Sequence, residues 1–413
     1  MKRVIGREVL DSRGNPTVEV EIHTKNGVSR AIVPSGASTG THEALELRDN
    51  GKRYFGKGVS NAVKNINLLG KKLIGRNLTS IDVDKFLIKE DGTKNKTKYG
   101  ANAILGLSLA AVRANALEAK EPLYEIFGKL AKNRKFSLPT PFFNIINGGM
   151  HAGNELDVQE YMIVPQAKTF KEKLRIGSEV YHELKLILEK KYGKRAINVG
   201  DEGGFSPQFE FIEEPIEEIL EAADNLGYLK QIKLALDMAA TNLKVDNEYV
   251  IEKKSHTAFE LIDIYKELIN TYPIISIEDP FAEDDWENFF VMTKELGNKV
   301  QIVGDDLLVT NKERIETAIR LKSCNALLLK MNQIGTVTQV IDSAVLAMKN
   351  NMKVMVSHRS GETEDSFISD LAVGLGCGQI KIGAPCRTDR TCKYNQLLRI
   401  EEELGRRAKY ARF

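Results

Sequence analysis

No stretch of the 413-residue sequence stays apolar long enough to span a bilayer, so membrane insertion is not expected. No apolar signal core follows Met1-Lys2-Arg3. The chain is therefore expected to stay in the cytoplasm, with a surface or secreted side role left open. Cysteine is scarce. Cys324, Cys377, Cys386 and Cys392 lack metal-ligand spacing, which argues for reduced thiols and against a zinc site or a disulfide scaffold. An excess of charge is also missing: 59 basic against 57 acidic residues give a net +2, which offers no reason to expect nucleic acid or an anionic membrane as partner. No G-x-G-x-x-G follows a first strand, which weighs against an open dinucleotide-binding sheet.

What is present suits a large soluble protein. Hydrophobic residues make up 42% and charged residues 28%, enough for a packed core under a polar surface. The length fits two domains, one of them large. Val4 to Leu10, Thr17 to His23 and Val28 to Val33 are β-rich runs, and Asn26-Gly27 is a hairpin turn, so a three-stranded meander is expected. A Gly- and Ser-rich loop, Pro34 to Gly40, comes next. Helical patterns then take over, most clearly from Ala101 to Ala119. A basic connector with two prolines, Gly128 to Pro141, marks the expected boundary between a domain of residues 1–130 and one of residues 131–413.

Beyond the connector, short apolar runs alternate with amphipathic segments. The strand candidates are Lys233 to Leu236, Ile274 to Ile277, Val300 to Val303, Ala326 to Leu329, Lys353 to Val356 and Gln379 to Ile382. Continuous apolar strands alternating with helices predict a parallel sheet buried on both faces. At this length a closed (β/α) barrel leads, with an open doubly wound sheet as the fallback. Seven apolar runs end in polar groups: Glu202, Asp237, Glu278, Asp305, Lys330, His358 and Lys381. Each is separated from the next by enough chain for a helix and a strand, so a barrel gathers all seven at its carboxyl-terminal rim. A single Asp after a strand is ordinarily a turn former or a helix cap; seven polar groups in register ask for another explanation.

The chemistry of these groups is specific. Asp237, Glu278 and Asp305 offer hard oxygen ligands without clustered Cys or His, which favours Mg²⁺ over zinc. Lys330 and Lys381 are candidates for an amine held neutral as a base, and Glu202 for an acid. Together these groups suit proton abstraction beside a carboxylate followed by loss of a leaving group. Strand alternation leaves open which of Glu278 and Asp279, and of Asp305 and Asp306, faces inward.

The same segments resemble the enolase family over nearly the whole chain. The matching motifs are Asp11-Ser12-Arg13-Gly14-Asn15-Pro16, Ser35-Gly36-Ala37-Ser38-Thr39-Gly40, Asn147-Gly148-Gly149 with His151, Gln159-Glu160, Gly200-Asp201-Glu202-Gly203-Gly204, Ile277-Glu278-Asp279-Pro280-Phe281, Gly304-Asp305-Asp306, Lys330-Met331-Asn332-Gln333-Ile334-Gly335, Ser357-His358-Arg359-Ser360-Gly361 and Gln379-Ile380-Lys381. The resemblance implies an α/β fold: a C-terminal TIM-type barrel of modified ββαα(βα)₆ topology with an N-terminal α+β capping domain. It implies reversible dehydration of 2-phosphoglycerate to phosphoenolpyruvate in glycolysis and gluconeogenesis, with two Mg²⁺ per active site, the second arriving with substrate. Asp237, Glu278 and Asp305 would hold the tighter ion, and Ser38 the second. Lys330 would take the proton at carbon 2. Glu202, with Glu160 beside it, would protonate the departing hydroxyl. Gln159 and Lys381 would contact the substrate carboxylate and hydroxyls, Arg359 and Ser360 its phosphate, and His151 and His358 would close over it. A homo-oligomer, dimer or octamer, is implied as well. The rival readings are a related enzyme acting on another carboxylate and a non-enzymatic scaffold or surface-binding protein on the same fold.

Overall fold

The structure is a computed structural model that describes residues 1–36 and 39–413. Its first part is the expected meander: β1 (Arg3–Leu10), β2 (Pro16–His23) and β3 (Val28–Ile32), antiparallel in the order β1-β2-β3. Helices α1 (Ser60–Leu73), α2 (Ser80–Asp91), α3 (Ala101–Ala119) and α4 (Leu123–Leu130) follow. α3 is apolar almost all round and is buried almost all round, so it forms the centre of this part. Gly106 lets it approach the sheet: a Cβ there would lie 2.7 Å from Val20 Cγ2.

A closed eight-stranded barrel begins at β4 (Thr140–Asn147) and β5 (Glu160–Pro165), continues through helices α5 (Phe170–Tyr192) and α6 (Glu214–Asn225), and reaches β6 (Ile232–Asp237). A small antiparallel sheet, β7 (Lys244–Val245), β8 (Glu248–Ile251) and β9 (Lys254–His256), hangs on the loop after β6. Six strand–helix units then complete the circuit with β6 as the first strand: α7 (Ala258–Thr271), β10 (Ile274–Glu278), α8 (Trp286–Leu296), β11 (Gln301–Gly304), α9 (Lys312–Leu321), β12 (Ala326–Leu329), α10 (Val337–Lys349), β13 (Lys353–Ser357), α11 (Phe367–Leu375), β14 (Gly378–Lys381) and α12 (Thr388–Leu404). The order is ββαα(βα)₆. The interior is filled by Phe142, Met162, Val164, Ala235, Val303, Ala326, Leu328 and Met355, so the barrel is a packed core and not a pore. No described helix is long and apolar enough to cross a membrane.

Two expectations drawn from the residues alone need correction. The barrel is not wholly parallel, because β5 runs antiparallel to both β4 and β6. The chain between β4 and β5 turns back over the mouth with only the short 3-10 turn Gly149–His151, so no crossover helix restores the strand direction. Nor is Asn198-Val199-Gly200 a strand. Val199 makes only an isolated bridge to Phe205, and Glu202 arrives on a loop. Gly204 keeps that loop tight against β4: a Cβ there would stand 2.6 Å from Asn147 Oδ1.

The N-terminal part reaches over the carboxyl-terminal end of the barrel. Ser35 and Gly361 exchange backbone hydrogen bonds of 2.7 and 2.9 Å, Ser12 N donates to Glu362 O at 2.7 Å, and Ala44 N to Gln333 O at 2.9 Å.

Candidate active site

Strand register brings the acidic groups together. Glu160 on β5 pairs with Asp237 on β6, and Asp237 pairs with Glu278 on β10, so three carboxylates stand abreast at one level of the rim. Asp305 lies on the turn just after β11. Lys330 follows β12, His358 to Ser360 follow β13, and Lys381 ends β14. His151, Gln159, Glu160, Glu202, Asp237, Asp305, Lys330, His358, Arg359, Ser360 and Lys381 line one cleft. Glu278 stands behind Lys381, within hydrogen-bonding reach of it. Ser38 lies outside the described residues.

The cations sit among the carboxylates. Lys381 Nζ lies 2.8 and 2.9 Å from the two oxygens of Glu278, 3.1 Å from Asp237 Oδ2 and 3.0 Å from Glu160 Oε2. Lys330 Nζ donates to Asp305 Oδ2, while Gln333 Nε2 donates to Asp305 Oδ1 at 3.0 Å. Gln159 Nε2 donates to Asp237 Oδ2 at 3.2 Å, and Ala239 N donates to Asp237 Oδ1 at 3.0 Å. Of the pairs left open by the sequence, Asp305 and Asp306 both line the cleft, as does Asp279, and the members of the first pair take different partners. Glu278 turns to Lys381, whereas Asp279 accepts the backbone N–H groups of Asp305 at 2.9 Å and Asp306 at 2.8 Å.

A second group adjoins this one. His151, Glu160 and Glu202 bring ligand atoms within 4.8 Å of one another. His358 Nε2 stands 3.0 Å from Glu202 Oε2, and Asn144 Nδ2 donates to that same oxygen at 3.1 Å. Burial pushes the His358 ring down to about 3 and holds His151 below its ordinary value, so both rings are neutral near pH 7. Burial, then the charge of Glu202, raises the Glu160 carboxyl well above the carboxylate range. His358 and His151 outweigh burial at Glu202 and hold its carboxyl well below that range, so the proton of this carboxyl pair rests on Glu160.

On the remaining side, Arg359 makes a forked contact with Glu43, Nη1 to Oε2 at 2.9 Å and Nη2 to Oε1 at 3.1 Å, and Nη1 also donates to Asn332 Oδ1 at 2.8 Å. Gln159 Oε1 and His358 Nδ1 are buried without a hydrogen-bond partner among the described residues. Unmatched buried polar atoms in a charged cleft indicate a polar ligand.

Residues 1–127 match the family model "Enolase, N-terminal domain", and residues 135–412 match "Enolase, C-terminal TIM barrel domain". The chain belongs to the enolase family. The enolase of Pyrococcus furiosus is 54% identical, the alignment covering 99% of this chain and 96% of that one. The enolase of Methanocaldococcus jannaschii is also 54% identical, and that of Solanum lycopersicum 52%, each over all of this chain and 97% of the relative.

The donor set of this enolase fits a hard divalent cation. Asp237, Glu278 and Asp305 are oxygen donors gathered around positive charge, and no thiolate stands among them. The carboxylates cannot all stay ionised without such charge. Burial, then Asp237, raises Glu278 well above the carboxylate range. Burial also raises Asp305, but Lys330 outweighs it and leaves that carboxyl below its usual value. Burial lowers the Lys330 ammonium, but Asp305 overcomes this and holds it charged.

Three residues of this enolase site were not found from the sequence: Glu43, which grips Arg359; Gln333, which steadies Asp305; and Asp279, which shapes the Asp305 turn. Gln333 and Asp279 both lie inside quoted motifs, and that was the one available signal. Glu43 too opens a segment, Glu43 to Asp49, that resembles the family, but its partner is 316 positions away and its role was not legible.

Proposed function

We propose that this enolase interconverts 2-phosphoglycerate and phosphoenolpyruvate in glycolysis and gluconeogenesis. One observation carries the residue roles: Asp237 and Asp305 line a buried cleft with two lysines and a carboxyl pair, and Glu278 stands behind Lys381. Asp237, Glu278 and Asp305 would hold one Mg²⁺, with Ser38 serving the second that arrives with substrate. When bound, the dications would take over the carboxylate charge now shared with the lysines and offset the second negative charge that builds on the substrate carboxylate.

The chain's own groups do the rest. Lys330 accepts the proton from carbon 2 as a neutral amine, after its contact with Asp305 is relieved and it has given its own proton to solvent. Hydroxide is a poor leaving group, so Glu202 donates a proton to the departing oxygen at carbon 3 after receiving the one that rests on Glu160. Lys381 and Gln159 face the substrate carboxylate and hydroxyls. Arg359 supplies a fork of donors to the phosphate with Ser360 beside it. Neutral His151 and His358 close the cleft, and a drier cleft strengthens every charge contact inside it.

The proposal extends to organisation. Residues 1–130 form the cap and 131–413 the catalytic barrel; the break between the two family-model matches, from 127 to 135, supports this. Assembly as a dimer or octamer and residence in the cytoplasm follow from the family resemblance. The test of activity is the absorbance rise of phosphoenolpyruvate after 2-phosphoglycerate and Mg²⁺ are added. Unphosphorylated hydroxy acids should give no product. A flat trace with 2-phosphoglycerate sinks the reading.

A further inference from the structure

Two buried cations on α12 take no direct part in the chemistry just described. Arg390 and Lys393, three residues apart and so on one helical face, are both 0% exposed. Among the described residues, the Asp389 carboxylate, 3.4 Å from Nε, is the one ion-pair partner of the Arg390 guanidinium. The forked end is spent on backbone. Nη1 donates to Arg359 O at 3.0 Å, and Nη2 donates to Ser360 O at 2.7 Å and Asp201 O at 3.1 Å. Lys393 Nζ holds the next part of the same loop, 2.8 Å from Glu362 Oε2 and 2.8 Å from Thr363 O; Glu362 Oε1 in turn accepts the Arg359 N–H at 3.3 Å.

A desolvated guanidinium is costly to bury; here three carbonyls from two loops meet its forked end, while Nε has no hydrogen-bond partner among the described residues. Turning the carbonyls of Arg359 and Ser360 toward α12 turns the N–H groups that follow them away from it, because each peptide is planar and trans. The Asp201 carbonyl fixes the residue immediately before Glu202. Gly383 makes room for the arginine: a Cβ there would lie 2.9 Å from Arg390 Cδ. Ala384 N, next along the chain, donates to Glu202 O at 3.0 Å.

We propose that Arg390 is a positioning residue that ties the phosphate-holding loop at Arg359 and Ser360 to the loop that carries the acid Glu202. The proposal rests on the roles given above to Arg359, Ser360 and Glu202. One rigid fork sets the spacing of the two arms, so phosphate is seated and the acid aimed by the same group. Lys393 serves the phosphate arm alone.

The test uses the full-length enzyme with Mg²⁺. Arg390→Lys keeps the charge and loses the fork; Arg390→Gln keeps donors and loses the charge. For each, KM for 2-phosphoglycerate and the ratio of carbon 2 proton exchange to dehydration are measured. Neither quantity depends on how much of the preparation is folded, so a merely structural role moves neither. In both variants KM should rise roughly tenfold, about 1.4 kcal/mol of lost contact, and the ratio should shift toward exchange. Lys393→Gln should raise KM and leave the ratio alone. Wild-type KM and wild-type ratio in Arg390→Lys would overturn the proposal, as would a Lys393 variant that shifts the ratio equally. Arg359→Gln separates the two levels of the argument. An unchanged KM there removes the phosphate reading itself, whereas a raised KM beside inert Arg390 variants removes only the coupling.

Discussion

Asp237 and Glu278 sit opposite each other on neighbouring parallel strands and lean on one ammonium, Lys381 Nζ, at 3.1 and 2.8 Å. Charges this close in a buried site are balanced as a set, so removing one carboxylate changes what the others can hold. Glu278→Gln keeps size and hydrogen bonding and removes one anionic ligand. The Mg²⁺ concentration for half-maximal activity should rise by roughly tenfold or more, as expected when a charged oxygen ligand becomes neutral. A chelator should silence the unaltered enzyme and Mg²⁺ should restore it. Titrating activity against free Mg²⁺ reads both. A variant with an unshifted titration would mean that Glu278 is not a ligand.

Lys330 and Glu202 act at different carbons in the proposed scheme, so their loss should be separable. Lys330→Ala should remove solvent exchange at carbon 2 and lower kcat by roughly 10²–10⁴-fold, the usual contribution of a placed acid or base. Glu202→Gln should keep exchange and lose dehydration to a similar degree. Isotope exchange followed by NMR beside the absorbance assay distinguishes them. Exchange at the normal rate in Lys330→Ala would remove that residue as the base.

Much of this arrangement was legible in the sequence, for a physical reason. Barrel strands are continuous apolar runs, so the polar residue closing each run marks the rim, as Glu278, Lys330 and Lys381 do. The direction of β5 was not legible from its residues, because a buried strand reads the same whichever way its neighbours run. Glu202 was expected at a strand end and lies on a loop, since Val199 carries a β-branched side chain while Gly203 and Gly204 set the path. Arg390 and Lys393 were least visible. Thr388 to Lys393 reads as the polar, solvated start of a helix, and only the loops folded against it bury that face.

Asp279 offers a test of how the Asp305 turn is held. Its two oxygens each accept one backbone N–H, from Asp305 and Asp306, and its own φ is +40°. Asparagine tolerates that backbone but brings a single acceptor oxygen, so Asp279→Asn leaves one buried N–H unmet. Loss of about 1–3 kcal/mol of stability is expected. The Mg²⁺ titration should also shift, because the turn aims the Asp305 carboxylate. Urea unfolding and the metal titration, run on the same preparation, read the two effects. A variant as stable as the parent would show that the paired contacts do not hold the turn.

Asp370 on α11 predicts a pH dependence remote from the cleft. It is buried, Gln396 Nε2 donates to its Oδ2 at 3.2 Å, and burial pushes its carboxyl up to about 7 from 3.8 although Arg113 pulls the other way. A folded-state value above the unfolded one means that the native chain keeps a proton the unfolded chain has lost. The resulting stability is fully present below about pH 4, declines as pH rises and is gone above about pH 7. Asp370→Asn resembles the protonated carboxyl at every pH and retains an oxygen for Gln396. The variant should therefore match the parent near pH 4 and exceed it at pH 8, by up to about 4 kcal/mol for a shift of this size. Urea unfolding of both proteins at the two pH values gives the comparison. An advantage equal at both pH values would mean that Asp370 titrates in the fold much as it does in the open chain.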